Sequence, residues 1–198
     1  MNLILVVVVT GPRPASLGGC YKWKHKRRVA LRKYILALLE NIIESNEDEK
    51  KFEFISGMAL GTDIDAYSCF LEIKKKYKKK KIKIIAAIPF RKQYSKWSED
   101  DKSRYFTFLD KADKIVYIDE DIEEYKLPES KDKKIISDKL KNRNKWMVKQ
   151  LKNEKDILLA FPVKGKDKSG TVSCINYAIN YAKSKNKNIH ITELDFNK

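Results

Sequence analysis

Apolar and polar positions fall into blocks along this chain, and the blocks switch between two periods. Short, nearly unbroken apolar runs recur at Asn2 to Thr10, Phe52 to Ile55, Ile82 to Ile88, Lys114 to Ile118, Ile157 to Phe161 and Asn188 to Thr192. Runs of this length, rich in Val and Ile, predict β-strands buried on both faces. Longer stretches between them carry apolar residues at helical spacing. Val29, Leu31, Ile35, Leu38, Leu39 and Ile42 predict a helix from Lys24 to Glu44, and Ile64, Ala66, Phe70, Leu71 and Ile73 predict another starting at Thr62. Further helices are predicted over Glu99 to Lys111, Ser137 to Asn153 and Thr171 to Lys185. The acidic, proline-containing stretch Asp119 to Lys134 reads as an irregular insertion, either a lid or a neutral surface loop.

Strands alternating with helices predict an α/β fold: one Rossmann-like domain over residues 1–198, with a mostly parallel sheet flanked by helices on both faces. In such sheets ligands bind beyond the carboxyl ends of the strands, near the switch in strand order. The loops that follow strands are therefore the places to look for chemistry. Gly11 to Arg13, Ser56 to Asp63, Pro89 to Arg91 and the loop ending in Ser169-Gly170-Thr171 all fall on that edge. Ser56-Gly57-Met58-Ala59-Leu60-Gly61-Thr62-Asp63 and Lys168-Ser169-Gly170-Thr171 each put small residues at a strand-to-helix turn. Backbone N–H groups at a helix N-terminus hold phosphate, and glycine lets the ligand come close. A nucleotide-binding protein is the expectation.

Charge narrows the partners. The 198 residues carry a net charge of +16, which favours anionic partners. Most of the excess is lysine, and the densest run, Lys74 to Lys81, ends a predicted helix, where lysines complement the helix dipole and stay solvated. A nucleic-acid partner therefore ranks behind a small phosphorylated molecule. No apolar run approaches the roughly 20 residues of a membrane span. Leu3 to Val9 lacks the basic start and cleavage site of a signal peptide, so a cytoplasmic protein without a membrane partner is expected. The cysteines, Cys20, Cys69 and Cys174, and the histidines, His25 and His190, have no metal-ligand spacing. No metal, cofactor or disulfide framework is implied. Cys69 and Cys174 fall in helical patterns and read as small core residues, whereas Cys20 lies in a loop that can leave it exposed.

Each candidate site residue has a plainer alternative. Arg13, in a proline-braced loop, can clamp a phosphate with both guanidinium arms or can be an ordinary surface arginine. Gly57, Gly61 and Gly170 can admit phosphate or ribose or simply make tight turns. Asp63 can hold a ribose hydroxyl or favour the start of its helix. Thr62 and Thr171 can cap a helix and also bind phosphate. Trp97, Trp146, Phe90 and Gln93 can contact a base or belong to the core.

The motifs, taken in order, resemble one family. Thr10-Gly11-Pro12-Arg13-Pro14 resembles the opening TG-x-RP of the YpsA-like proteins, and Ser56 to Asp63 resembles their SG-x-A-x-G-x-D element. Pro89-Phe90 with Gln93 and Trp97, Arg143-Asn144-Lys145-Trp146-Met147-Val148, and Gly170-Thr171 followed by Tyr181-Ala182 resemble the remaining elements. The resemblance covers nearly the whole chain. It implies the SLOG superfamily, whose relatives include LOG phosphoribohydrolases, the DNA-uptake protein DprA and sensors of nucleotide-derived signals. It adds Arg143 and Asn144 to the candidates and implies a homo-oligomer. It also implies that the chain binds a nucleotide-derived small molecule, of the ADP-ribose or cyclic-nucleotide type, as a sensor or a sequestering protein. The LOG glutamate is missing: Ser169-Gly170-Thr171 runs on into Val172-Ser173-Cys174 with no carboxylate. Cleavage of an N-glycosidic bond, the alternative, would fall to Asp63 or Asp65, ahead of Glu99 and Asp100. DprA-like binding of single-stranded DNA is the third reading.

Overall fold

The computed structural model describes residues 4–118, 133–183 and 188–195. Six strands form one all-parallel sheet: β1 (Ile4–Thr10), β2 (Lys51–Ser56), β3 (Lys81–Ile88), β4 (Lys114–Tyr117), β5 (Ile157–Ala160) and β6 (Asn188–Ile191), in the order β4-β3-β2-β1-β5-β6. The chain steps outward from β1 to β4 and then returns to lay β5 on the other side of β1. The strand order therefore reverses between β1 and β5, where open α/β sheets place their ligand crevice.

Helices α1 (Lys26–Glu44), α2 (Thr62–Lys76) and α3 (Glu99–Leu109) cover one face, and α4 (Lys133–Lys149) and α5 (Gly170–Lys183) the other. Alternation along β1 supplies both layers. Leu5, Val7 and Val9 join the larger core with Phe52, Phe54 and Phe70, while Val6 and Val8 meet Met147, Val148, Leu158 and Cys174. Each such side chain, once fully buried, contributes about 1.5–3 kcal/mol.

Several details depart from the pattern in the sequence. Helix α2 is buried all round from Thr62 to Phe70, whereas Leu71, expected in its buried stripe, is only half-buried. Its Asp65 accepts a two-pronged bond from Arg28 (Nε to Oδ2 and Nη2 to Oδ1, both 3.0 Å) and one from Arg32 Nη1 at 2.9 Å. Arg28 and Asp65 are both fully buried. Asp65 is thus a structural anion and leaves the list of catalytic carboxylates.

Helix α4 starts and ends about a turn earlier than predicted, so Lys133 and Lys134 belong to it and not to an insertion. At its end the Asp156 carboxylate accepts from the backbone N–H groups of Lys152 (2.6 Å), Asn153 (2.7 Å) and Val6 (2.9 Å), drawing the chain out of the helix toward β5. At its start Ser137, which resembles an N-cap, is an interior residue. The rest of the predicted insertion, 119–132, lies outside the described residues, as do residues 2 and 3 of the predicted first strand. Cys20 is buried, contrary to the loop expectation. The β1–α1 loop folds back, with Gly19 and Cys20 both donating to the Pro14 carbonyl, and this tucks Leu17 and Cys20 inside. No described helix is long and apolar enough to cross a membrane.

Candidate functional site

A cleft of about 850 Å³ opens at the carboxyl edge of the sheet, over the ends of β1 and β5. Its floor comes from the β1–α1 loop (Gly11, Pro12, Arg13), its far end from the β5–α5 loop and the start of α5 (Ser169, Gly170, Thr171), and one wall from α4 (Ile136, Leu140, Arg143, Asn144). Asp63 reaches it from the head of α2.

Two helix N-termini that look alike in sequence differ here. At α2 the N–H groups of Thr62, Ile64 and Asp65 already have acceptors. Thr62 donates its backbone N–H (3.2 Å) and its hydroxyl (3.1 Å) to the Pro12 carbonyl, Ile64 N–H donates to Ala59 and Asp65 N–H to Gly61. Ser56 Oγ, fully buried, donates to the Asp63 carbonyl at 2.7 Å and pins the β2–α2 loop from below. Gly61, at φ 98°, lets the loops touch, because a Cβ there would sit 2.5 Å from the Pro12 carbonyl oxygen. Gly11 is in contact with the Thr62 side chain in the same seam. At α5, Ser169 Oγ accepts from Val172 N–H at 3.2 Å, while the N–H groups of Gly170 and Thr171 have no acceptor among the described residues. A Cβ on Gly170 would meet nothing within 4 Å. This N-terminus is open.

The charged groups converge between the two. Arg143 reaches across from α4 and donates Nη1 to Asp63 Oδ2 at 2.8 Å. Both side chains are more than nine-tenths buried. Asp63 Oδ2 also accepts from Ala59 N–H at 3.4 Å, while Oδ1 has no donor among the described residues. Burial raises the Asp63 pKa above its ordinary value, and the Arg143 charge and hydrogen bond oppose that rise. Arg13 keeps exposed surface on the rim, and its guanidinium makes no hydrogen bond or ion pair among the described residues. Crowding and the nearby Arg143 charge lower its pKa, and Asp63 partly offsets this. Two guanidinium groups beside one carboxylate leave an unbalanced positive charge, which suits an anion. Arg143 Nε and Asn144 Oδ1 are buried without hydrogen-bond partners, and buried polar atoms normally have one. Asn144 Nδ2 reaches the Gly170 carbonyl at 3.4 Å, tying α4 to the open end of α5.

Of the residues singled out from sequence, Gly11, Arg13, Asp63, Arg143, Asn144, Ser169, Gly170 and Thr171 line the cleft together. Ser56, Gly57, Gly61 and Thr62 lie behind it and hold its loops. Pro89 and Phe90 are buried beyond β3 and are not part of its lining. Gln93 Nε2 lies 3.4 Å from both the Met58 carbonyl and the Tyr105 hydroxyl, and Trp97 packs edge-on against Tyr105, so both belong to the framework. Trp146 packs against the core under α4 and α5. The lining contains no aromatic residue. Glu99 pairs with Lys102 and stands, like Asp100, away from the cleft. Among the described residues no three His, Cys, Asp or Glu side chains are grouped to hold a metal. Sequence reasoning missed Ile136, Leu140, Ser173 and Asn176, which line the cleft from α4 and α5. Ile136–Leu140 and Ser173–Asn176, at helical spacings, were the available signal.

Comparison with known proteins agrees with the motif order. A family profile described as YspA SLOG family (YpsA) matches residues 7–198. The chain is 36% identical over 155 residues to the "Uncharacterized SPbeta prophage-derived protein YoqJ" of Bacillus subtilis (strain 168), covering 78% of this chain and 84% of that protein.

Proposed function

Since the chain belongs to the YspA SLOG family, we propose that its cleft binds a nucleotide-derived small molecule and that the protein acts as a sensor or a sequestering protein for it. Family membership is consistent with a nucleotide-related role. The observation that carries the finer reading is the open N-terminus of α5 facing the unpaired Arg13. A phosphate there accepts from the N–H groups of Gly170 and Thr171 and from the Arg13 guanidinium. Asp63 Oδ1 accepts from a ribose hydroxyl, while Arg143 fixes the other oxygen of the same carboxylate.

Small molecules released by denaturing the purified protein, identified by mass spectrometry, test this directly, together with a thermal-shift panel of nucleotides and ADP-ribose derivatives. A ligand at a hundred times its Kd adds about 2.7 kcal/mol, which shifts Tm by about 5–10 °C for a chain of this size. Arg13→Ala should weaken binding about tenfold to a hundredfold, the loss of a charge-assisted hydrogen bond. No co-purified ligand and no shift across the panel refutes the reading. Release of free base from an added nucleotide replaces it with N-glycosidic cleavage, for which Asp63, buried and with a raised pKa, is the carboxylate in position.

A further inference from the structure

Asp63 brings a negative charge of its own into a cleft proposed to receive an anion. Its side chain is more than nine-tenths buried, and its two oxygens differ. Oδ2 accepts from Arg143 Nη1 at 2.8 Å and from Ala59 N–H at 3.4 Å, whereas Oδ1 has no donor among the described residues. Two guanidinium groups answer its charge. Arg143 holds it directly from α4, and Arg13, in the β1–α1 loop, is near enough for the two charges to act on each other. Both arginines line the cleft, so an anion that enters and takes them shares them with Asp63.

A second negative charge beside a buried carboxylate disfavours its ionised form. Resting on the proposed nucleotide-binding function, we infer that the cleft takes up a proton together with its anion, and that Asp63 is the group that accepts it. The proton passes from solvent to Oδ1, the oxygen without a donor, so Oδ2 keeps both of its hydrogen bonds. The hydroxyl so formed donates to a ligand oxygen, where the ionised group only accepts. Arg143 stays in place, and its charge, no longer offset by Asp63, faces the ligand. In the empty cleft burial already holds the Asp63 pKa above its ordinary 3.8, and the arriving anion pushes it the same way.

The other charged and titratable groups around Asp63 do not fill this role. Cys174 of α5 feels the Asp63 and Arg143 charges, but burial pushes its thiol up to about 11 and it stays protonated throughout. Lys141 of α4 is paired with Asp138 at 3.4 Å. Lys166, Asp167 and Lys168 stand exposed in the β5–α5 loop, where water screens Asp167 from the incoming charge. Neither His25 nor His190 is in the lining. The sign follows from the order of two pKa values, the lower in the free cleft and the higher in the complex. Between them only the complex holds the proton, so affinity falls as pH rises, by up to about tenfold per pH unit for one proton.

Sulfate is the probe, because unlike phosphate it does not itself titrate in this range. Isothermal titration of the full chain with sulfate at fixed ionic strength, repeated in buffers of different ionisation enthalpy, counts the protons taken up. Uptake approaching one proton is expected within the span from pH about 4 to about 8, with affinity falling at least about threefold over one unit there. Asp63→Asn, an uncharged mimic of the protonated acid, should take up none and hold its affinity level across the range. Sulfate bound with no proton uptake at any pH, or uptake undiminished in Asp63→Asn, overturns the coupling and leaves the anion seat standing. The proton count on the wild type decides the matter even where Asp63→Asn does not fold. No sulfate binding at any pH, or binding that Arg13→Ala leaves unchanged, overturns the seat as well.

Discussion

Gly57 offers a sharp test of how the site is held together. A Cβ at this position would lie 1.3 Å from Arg143 Nη1, 2.2 Å from its Cζ and 2.7 Å from Asp63 Oδ2. The backbone at Gly57 is not in the left-handed region, so alanine fits the chain itself. The severe collision is with the guanidinium, which can swing into the cleft, and the Asp63 carboxylate, at 2.7 Å, must give way by a few tenths of an ångström. Gly57→Ala should therefore keep the fold but strip Asp63 of its partner. Breaking a buried pair from one side costs about 3–5 kcal/mol, and about 3 is expected here because Arg143 regains water in the cleft. That lowers Tm by about 6–12 °C. The decisive comparison is a double-mutant cycle with Arg143→Met, read by urea denaturation. Once the guanidinium is gone, Gly57→Ala should cost no more than about 0.5 kcal/mol, so the two substitutions are strongly non-additive. An equal cost in both backgrounds, or none in the wild type, refutes the reasoning.

The same cycle has a defined pH dependence. Burial holds the folded pKa of Asp63 above its ordinary value of 3.8. Between those two values the folded state keeps a proton that the unfolded state has lost. Stability from this group is therefore complete below the unfolded pKa and declines as pH rises through the folded one. Removing Arg143 raises the folded pKa further and extends that decline upward. The gap between the wild type and Gly57→Ala should widen with rising pH and close toward pH about 4, where a protonated Asp63 needs no cation. A gap that widens on acidification contradicts the assignment.

Three further outcomes follow from the packing. Gly170→Ala adds a methyl to open space, so stability should hold within about 1 kcal/mol while nucleotide affinity falls about tenfold or more; retained affinity argues against a ligand at the start of α5. Asp65→Asn leaves the fully buried Arg28 without its counter-charge and should destabilise by about 3–5 kcal/mol in urea melts, and a loss below about 1 kcal/mol removes this pair from the framework. All three cysteines are buried, with burial pushing the Cys69 thiol up to about 12 and the Cys174 thiol up to about 11, so a thiol-exchange chromogen should react only at the rate of unfolding; a rapid one-thiol burst at pH about 8 would mean that Cys20 is open.

The sheet was legible because its strands are unbroken apolar runs, and such runs arise when both faces of a strand are covered. The edge carrying the site was legible for the same reason, since a parallel sheet puts the loops after its strands on one side. What escaped the sequence is contact between distant polar residues. Arg28 carries no signal in the sequence and Asp65 reads as a candidate catalytic carboxylate; only their meeting, 37 residues apart, makes them core. Gly57 read as a ligand-facing glycine, yet its open side is filled by Arg143 from a helix 80 residues beyond Asp63. Ile136 and Leu140 escape notice because an apolar pair at helical spacing looks the same whether it faces a sheet or a cleft.

The two glycine-containing turns show most clearly where sequence reasoning stops. Both follow a strand, both lead into a helix, and both carry a threonine in the first turn, so local chemistry assigns them the same anion-binding ability. What separates them is a single carbonyl. The proline-braced loop after β1 delivers the Pro12 oxygen to Thr62, and the first turn of α2 becomes a joint between loops. Among the described residues no loop delivers such an acceptor to Gly170 and Thr171, and their N–H groups stay open to the cleft. The same β1–α1 loop that closes the first N-terminus carries Arg13 to the mouth of the cleft, toward the second. On the proposed reading, one loop therefore decides which of two similar turns holds a phosphate, and it supplies the cation for the one it leaves open.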